Sequence, residues 1–250
     1  MSEGQHIPYA ASPLPFAPAR SVLILAPHPD DETIGCGGSA ALYAQAGVPV
    51  QALVLTDGGL WGVAPPGASI VATREVETQA AARVLGCAPP IFARYADRSL
   101  QCSPALVQEI VAQARACHAD TLLAPSLWEV HPDHRALAHA AIEAMQQLGA
   151  GHTLVQYEVG MPLLPNVLVD ITPVLERKKQ AIACFASQLA MQAYDRHAGA
   201  LNTFRTYTLA PTVLAAEALR VCTPQEAHDD PYGLVFQGHH HPVSQALQRT

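Results

Sequence analysis

Six short apolar runs punctuate the chain, at 22–26, 50–56, 91–93, 121–124, 153–157 and 167–171. They are largely continuous rather than alternating, as expected of strands buried on both faces. Between them lie amphipathic stretches with helical spacing, at about 36–46, 71–85, 104–117, 133–148 and 173–190. Leu85-Gly86 and Leu148-Gly149 close two of these with the residue best suited to a left-handed cap, and Ser103-Pro104 opens another. Strand–helix alternation of this kind predicts an α/β fold with a mostly parallel sheet covered on both faces.

The periodicity also divides the chain. Residues 1–20 are Pro-rich and aperiodic and read as an arm lying on the surface; 21–222 read as one domain; 223–250 read as an irregular tail packed on it. The segment 198–207 carries weaker periodicity and reads as a loop. With 250 residues, 50% hydrophobic and 14% charged, the chain has ample material for one large core. A net charge of −7 without any basic run argues against a nucleic-acid partner. No apolar stretch approaches the ~18 residues of a membrane span. The first twenty residues lack the basic and apolar regions of a signal peptide. Six cysteines without a CxxC pair suit reduced thiols in a cytoplasm.

Chemistry concentrates where the first run ends. Pro27-His28-Pro29-Asp30-Asp31-Glu32 leads through Gly35-Cys36-Gly37-Gly38 into a helix. Ligands in open parallel sheets bind beyond the carboxyl ends of strands, so this turn is well placed. The glycines lack GxGxxG spacing, and acids crowd the place of a pyrophosphate, which disfavours a dinucleotide site. One acid would serve to cap the helix. Three clustered carboxylates and a His instead call for a cation, because like charges repel.

A second string, Trp128-Glu129-Val130-His131-Pro132-Asp133-His134, follows the run at 121–124 and also enters a helix. If the two strands are neighbours, His28, Asp31 and His134 supply two nitrogens and one oxygen to a divalent metal and leave a position open for water. Zn2+ suits that set, and other divalent cations fit it too. His131 would face the open side. His139 reads as a packing or surface residue, His118, His152 and His197 have no supporting partners, and the run His239-His240-His241 reads as a surface feature.

The strings PHPDDE-x-x-G-x-G-G at 27–38 and HPDH at 131–134 resemble the PIG-L/LmbE-like family of zinc-dependent N-deacetylases. Thr56-Asp57-Gly58, Arg74-x-x-Glu77 and Ala216-Glu217-Ala218 are weaker features of the same likeness, which spans about residues 20–222. The resemblance implies a Rossmann-like three-layer fold and a substrate carrying an N-acetyl amino sugar, small or part of a glycan. It implies that His28, Asp31 and His134 bind zinc and that Asp30 is the general base. It also implies that His131 stabilises the oxyanion or passes a proton to the amine, that Asp133 orients His131, and that Arg74 and Asp97 contact the sugar.

The chemistry agrees with that assignment. A metal-bound water is acidified towards pH ~7. Asp30 would take its proton and return it to nitrogen, and a protonated His131 would help hold the oxyanion. Trp61, Tyr95, Arg98 and Trp128 are expected on loops at this end, suited to sugar rings. Two other readings stand beside this one: an amidase acting on a sugar–thiol conjugate or acyl-peptide, and an inactive sugar-binding module.

Overall fold

The six apolar runs are strands, and all lie parallel in one sheet of the computed structural model, which describes residues 11–12 and 19–233. They are β2 (Val22–Ala26), β3 (Val50–Thr56), β4 (Ile91–Tyr95), β5 (Thr121–Pro125), β6 (Thr153–Tyr157) and β7 (Val167–Asp170). Two further strands complete the sheet. β1 (Ala11–Ser12) pairs in parallel with β7, and β8 (Ala216–Cys222) runs antiparallel between β6 and β7. The order is β1-β7-β8-β6-β5-β2-β3-β4.

The helices cover both faces: α1 (Asp31–Gln45), α2 (Ile70–Leu85), α3 (Pro104–Ala116), α4 (Pro132–Leu148), α5 (Leu175–Ile182), α6 (Ala186–Leu189), α7 (Tyr194–Phe204) and α8 (Pro224–Asp229). Alternate residues of β2 feed two cores. Leu23 and Leu25 pack with Ile110 of α3, Leu137 of α4 and Ala227 of α8. Val22 and Ile24 pack with Tyr43 of α1, Leu85 of α2 and Ala181 of α5. Every residue of β2 and β5 is buried, which is why both read as unbroken apolar runs. Among the described residues no helix is long and apolar enough to cross a membrane, and all six cysteines are free thiols.

Several expectations need correction. β8 escaped the apolar pattern because Glu217 and Arg220 interrupt it. Both charges are accommodated: Glu217 by Lys178, whose Nζ lies 2.6 Å away, and Arg220 by the Asp230 carbonyl at 2.7 Å. The segment 198–207, expected as a loop, lies largely within α7. The expected helix at 173–190 is broken at Phe185, whose backbone leaves the helical region (φ −88°, ψ 58°). Part of the expected arm is strand β1; residues 1–10 and 13–18 lie outside the described residues. The expected irregular tail begins as α8, started by a capping box of Thr223 and Glu226. Residues 234–250, including His239-His240-His241, lie outside the described residues.

α1 begins earlier than its periodicity predicts, at Asp31, and is kinked at Cys36 (φ −135°, ψ 21°). The backbone N–H groups of Gly38 and Ser39 donate to the Glu217 carboxylate, each at 2.7 Å. Gly35 lets the first turn press onto the sheet: a Cβ there would stand 2.4 Å from the Tyr157 ring.

Candidate active site

β2 and β5 are adjacent, and the chain leaves them in opposite directions: α1 packs on one face of the sheet and α4 on the other. This reversal of strand order opens a crevice at the carboxyl ends of the two strands, where α/β folds bind ligands. The HPDDE turn enters it from β2 and the HPDH turn from β5. A cavity of about 370 Å³ results, lined among others by His28, Asp30, Asp31, Glu129, His131 and His134.

Three of these groups form a nearly equilateral triangle. His28 Nδ1 lies 3.1 Å from Asp31 Oδ2 and 3.2 Å from His134 Nε2, and His134 Nε2 lies 3.2 Å from Asp31 Oδ2. Three donors about 2.0–2.2 Å from one divalent ion stand about this far apart. The side chains are buried, and the local structure fixes them: the His28 backbone N–H donates to Asp31 Oδ2 at 2.9 Å, while His134 rides the first turn of α4. A wider group of possible donors surrounds the triangle. His28, His131 and His134 offer ligand atoms within 4.8 Å of one another, as do His28, Asp97, His131 and Asp133.

The electrostatics favour a cation. Burial opposes charge on His28, yet the carboxylates of Asp133, Asp31 and Asp97 push its pKa up to about 11. His134, likewise buried, is raised to about 9 by Asp31 and Glu129. Burial alone would raise Asp31, but the two imidazoles hold it well below the usual carboxylate range. The donor set and its surroundings fit a divalent ion.

Asp30 lies beside the triangle with a different environment. Its backbone has φ 137°, a strained conformation for a residue with a side chain, and such strain clusters at functional sites. Glu32 Oε2 accepts its N–H at 3.2 Å. Burial and then the Asp31 charge push the Asp30 carboxyl up to about 7, against the opposing pull of Arg74. Arg74 Nη2 lies 3.2 Å from Asp30 Oδ1 and donates to the Pro29 carbonyl at 2.8 Å, while Nη1 donates to the Gly58 carbonyl at 3.0 Å. Gly58 (φ 59°) permits that approach, since a Cβ would stand 2.5 Å from Nη1. Arg74 therefore braces Asp30 while also lining the cavity.

His131 is the N-cap of α4, and its Nδ1 accepts the Asp133 backbone N–H at 3.2 Å. A ring accepting at Nδ1 is neutral and carries its proton on Nε2. Burial, with the charges of His28 and His134, also lowers its pKa. With Nδ1 engaged by that backbone N–H, the geometry favours a neutral Nε2–H donor over the protonated ring expected from the sequence. Asp133 meets both rings. Its backbone N–H contacts His131 Nδ1, while its carboxylate accepts the N–H groups of Arg98 (2.7 Å) and Leu100 (3.0 Å) and lies 3.2 Å from His28 Nε2. Asp97 reaches the same ring nitrogen at 3.3 Å and accepts the Leu60 N–H at 3.2 Å.

Of the loop residues expected at this end, Trp61 and Arg98 line the cavity. Trp128 instead packs edge-on against Tyr232, and the Tyr95 hydroxyl donates to Glu109 at 2.6 Å. Sequence reasoning missed Glu129, Gln188 and Tyr194, which also line the cavity. Glu129 stood within the second string; Gln188 and Tyr194 come from α6 and α7 with no local motif to mark them.

Comparison with known proteins agrees with this geometry. Residues 23–145 match the family described as PIG-L, GlcNAc-PI de-N-acetylase. The chain is 30% identical over 211 residues to diacetylchitobiose deacetylase of Thermococcus kodakarensis, covering 77% of this chain and 79% of that protein. It is 30% identical over 199 residues to a probable N-acetyl-alpha-D-glucosaminyl L-malate deacetylase of Bacillus anthracis, covering 70% and 84%. The structure of N,N'-diacetylchitobiose deacetylase from Pyrococcus horikoshii superimposes with a TM-score of 0.75 at 28% identity, covering 88% of this chain and 90% of that one.

Proposed function

The chain belongs to the PIG-L, GlcNAc-PI de-N-acetylase family, and we propose that it hydrolyses the N-acetyl amide of an amino sugar, releasing acetate and the free amine. The observation that carries this reading is the triangle of His28 Nδ1, Asp31 Oδ2 and His134 Nε2 beside the strained, buried Asp30. Those three residues would hold Zn2+ or another divalent cation. When bound there, such an ion supplies Lewis acidity and lowers the pKa of water towards ~7.

The chain's own groups supply the rest. Asp30 accepts the proton lost by the attacking water and returns it to the amide nitrogen as the C–N bond breaks. Arg74 keeps that carboxylate aimed and partly charged before it takes the proton. The neutral His131 donates from Nε2–H to the oxygen that becomes negative in the tetrahedral intermediate. Trp61 offers an aromatic face to a sugar ring, while Asp97 and Arg74 reach its hydroxyls; all three line the cavity. Six unpaired thiols support a reducing compartment such as the cytoplasm.

The test is acetate release from N-acetylglucosamine, N,N'-diacetylchitobiose and N-acetylglucosaminyl conjugates, with acyl-peptides and sugar–thiol amides as comparators. Turnover of the amino sugars that is lost with a chelator and restored by Zn2+ is the expected result. Turnover of the comparators alone, or none anywhere with metal fully loaded, overturns it.

A further inference from the structure

The candidate metal-binding histidines are backed by carboxylates on the side away from the triangle. Behind His28 stands Asp133, as described above. Behind His134 stands Glu129, 2% exposed, with Oε2 3.3 Å from His134 Nδ1. Among the described residues no hydrogen bond satisfies that buried Nδ1, and the Glu129 carboxylate is the acceptor placed to do so. Glu129 itself is immobilised. Its Oε1 accepts the backbone N–H groups of Val159 (2.8 Å), Gly160 (3.1 Å) and Met161 (3.2 Å), and Oε2 also accepts from Gly160 at 3.1 Å. A carboxylate fixed by three backbone donors cannot swing away from the ring. Val159 and Gly160 also line the cavity.

We infer that Glu129 is a positioning residue: it accepts a hydrogen bond from the Nδ1–H of His134 and so fixes the tautomer whose Nε2 is free to bind a divalent cation. It also ties that ring to the 159–161 loop beside the cavity. A metal-binding histidine whose second N–H meets a carboxylate is oriented and made more basic. The inference rests on His134 binding a metal, as proposed above. It adds that the metal's hold depends on a residue outside the triangle of donors.

The experiment measures Zn2+ affinity by competition with a chromophoric chelator, for the wild-type chain and for Glu129→Gln. The expected result is one tight site in the wild type and binding weakened roughly 10–100-fold in the variant. Equal affinity in a folded Glu129→Gln overturns the inference and leaves the proposed function standing. A wild type that binds no Zn2+ overturns both. Should the variant fail to fold, long-range 1H–15N spectra of the Zn2+-loaded wild type decide, with the His134 resonances assigned against His134→Gln. A proton on His134 Nδ1 with Nε2 on the metal supports the inference; a proton on Nε2 overturns it.

Discussion

Asp133 and His28 stand 105 positions apart in the chain, yet Asp133 Oδ2 lies 3.2 Å from His28 Nε2. The contact crosses the β2–β5 boundary and leaves Nδ1 of the same ring facing the triangle. Asp133→Ala removes this support and also frees the Arg98 and Leu100 N–H groups. Metal affinity is expected to fall roughly 10–100-fold, as read by chelator competition. Unchanged affinity would show that His28 is held by Asp97 alone.

Asp30→Asn separates proton transfer from metal binding. Asn tolerates positive φ better than most residues, so the strained turn is expected to survive. Zn2+ content is expected to stay at the wild-type level while the maximal rate drops about 10²–10⁴-fold. Near-normal turnover would remove Asp30 from the base role.

Arg74 pulls down the pKa of Asp30, the proposed base. Its positive charge lowers the Asp30 pKa, which burial and Asp31 raise to about 7. In Arg74→Met that pull is gone, so the carboxyl holds its proton to higher pH. A base must be deprotonated to act, and the acid limb of the kcat profile is expected to move to higher pH. The profile of rate against pH for the two proteins measures this; coincident acid limbs would contradict it.

Lys178 and Glu217 form a pair with both side chains almost fully buried. Lys178→Met strands the Glu217 charge, although two backbone N–H groups still reach it. Breaking a buried pair from one side costs about 3–5 kcal/mol. Denaturant unfolding of Lys178→Met should show a loss near the lower end of that range. A loss below about 1 kcal/mol, the value of an exposed pair, would mean that the pair adds little to stability.

The sequence made the two ends of the site legible because each is a local string at the close of an apolar run. HPDDE and HPDH announce both their chemistry and their place on a strand–helix turn. What bridges them was hidden. The resemblance pairs Asp133 with His131, which its backbone N–H meets; that its carboxylate also reaches His28, 105 positions away, no local string displays. Trp128 sits on its expected loop and Tyr95 at the end of β4 rather than on one, and they turn to Tyr232 and Glu109, a choice made by packing. β8 went unseen for a related reason: a strand carrying Glu217 looks polar until Lys178 and the kinked α1 meet it.

The position of β8 in the sheet has a consequence for synthesis. It is the last strand among the described residues, yet it lies between β6 and β7 rather than at an edge. On the ribosome, β6 and β7 therefore each wait with one unpaired edge until residue 222 emerges, and nascent domains in that state are exposed to aggregation. Glu217 arrives with the same strand, so the helix bearing Asp31 is clamped by a group made 179 residues after the Gly38 it holds.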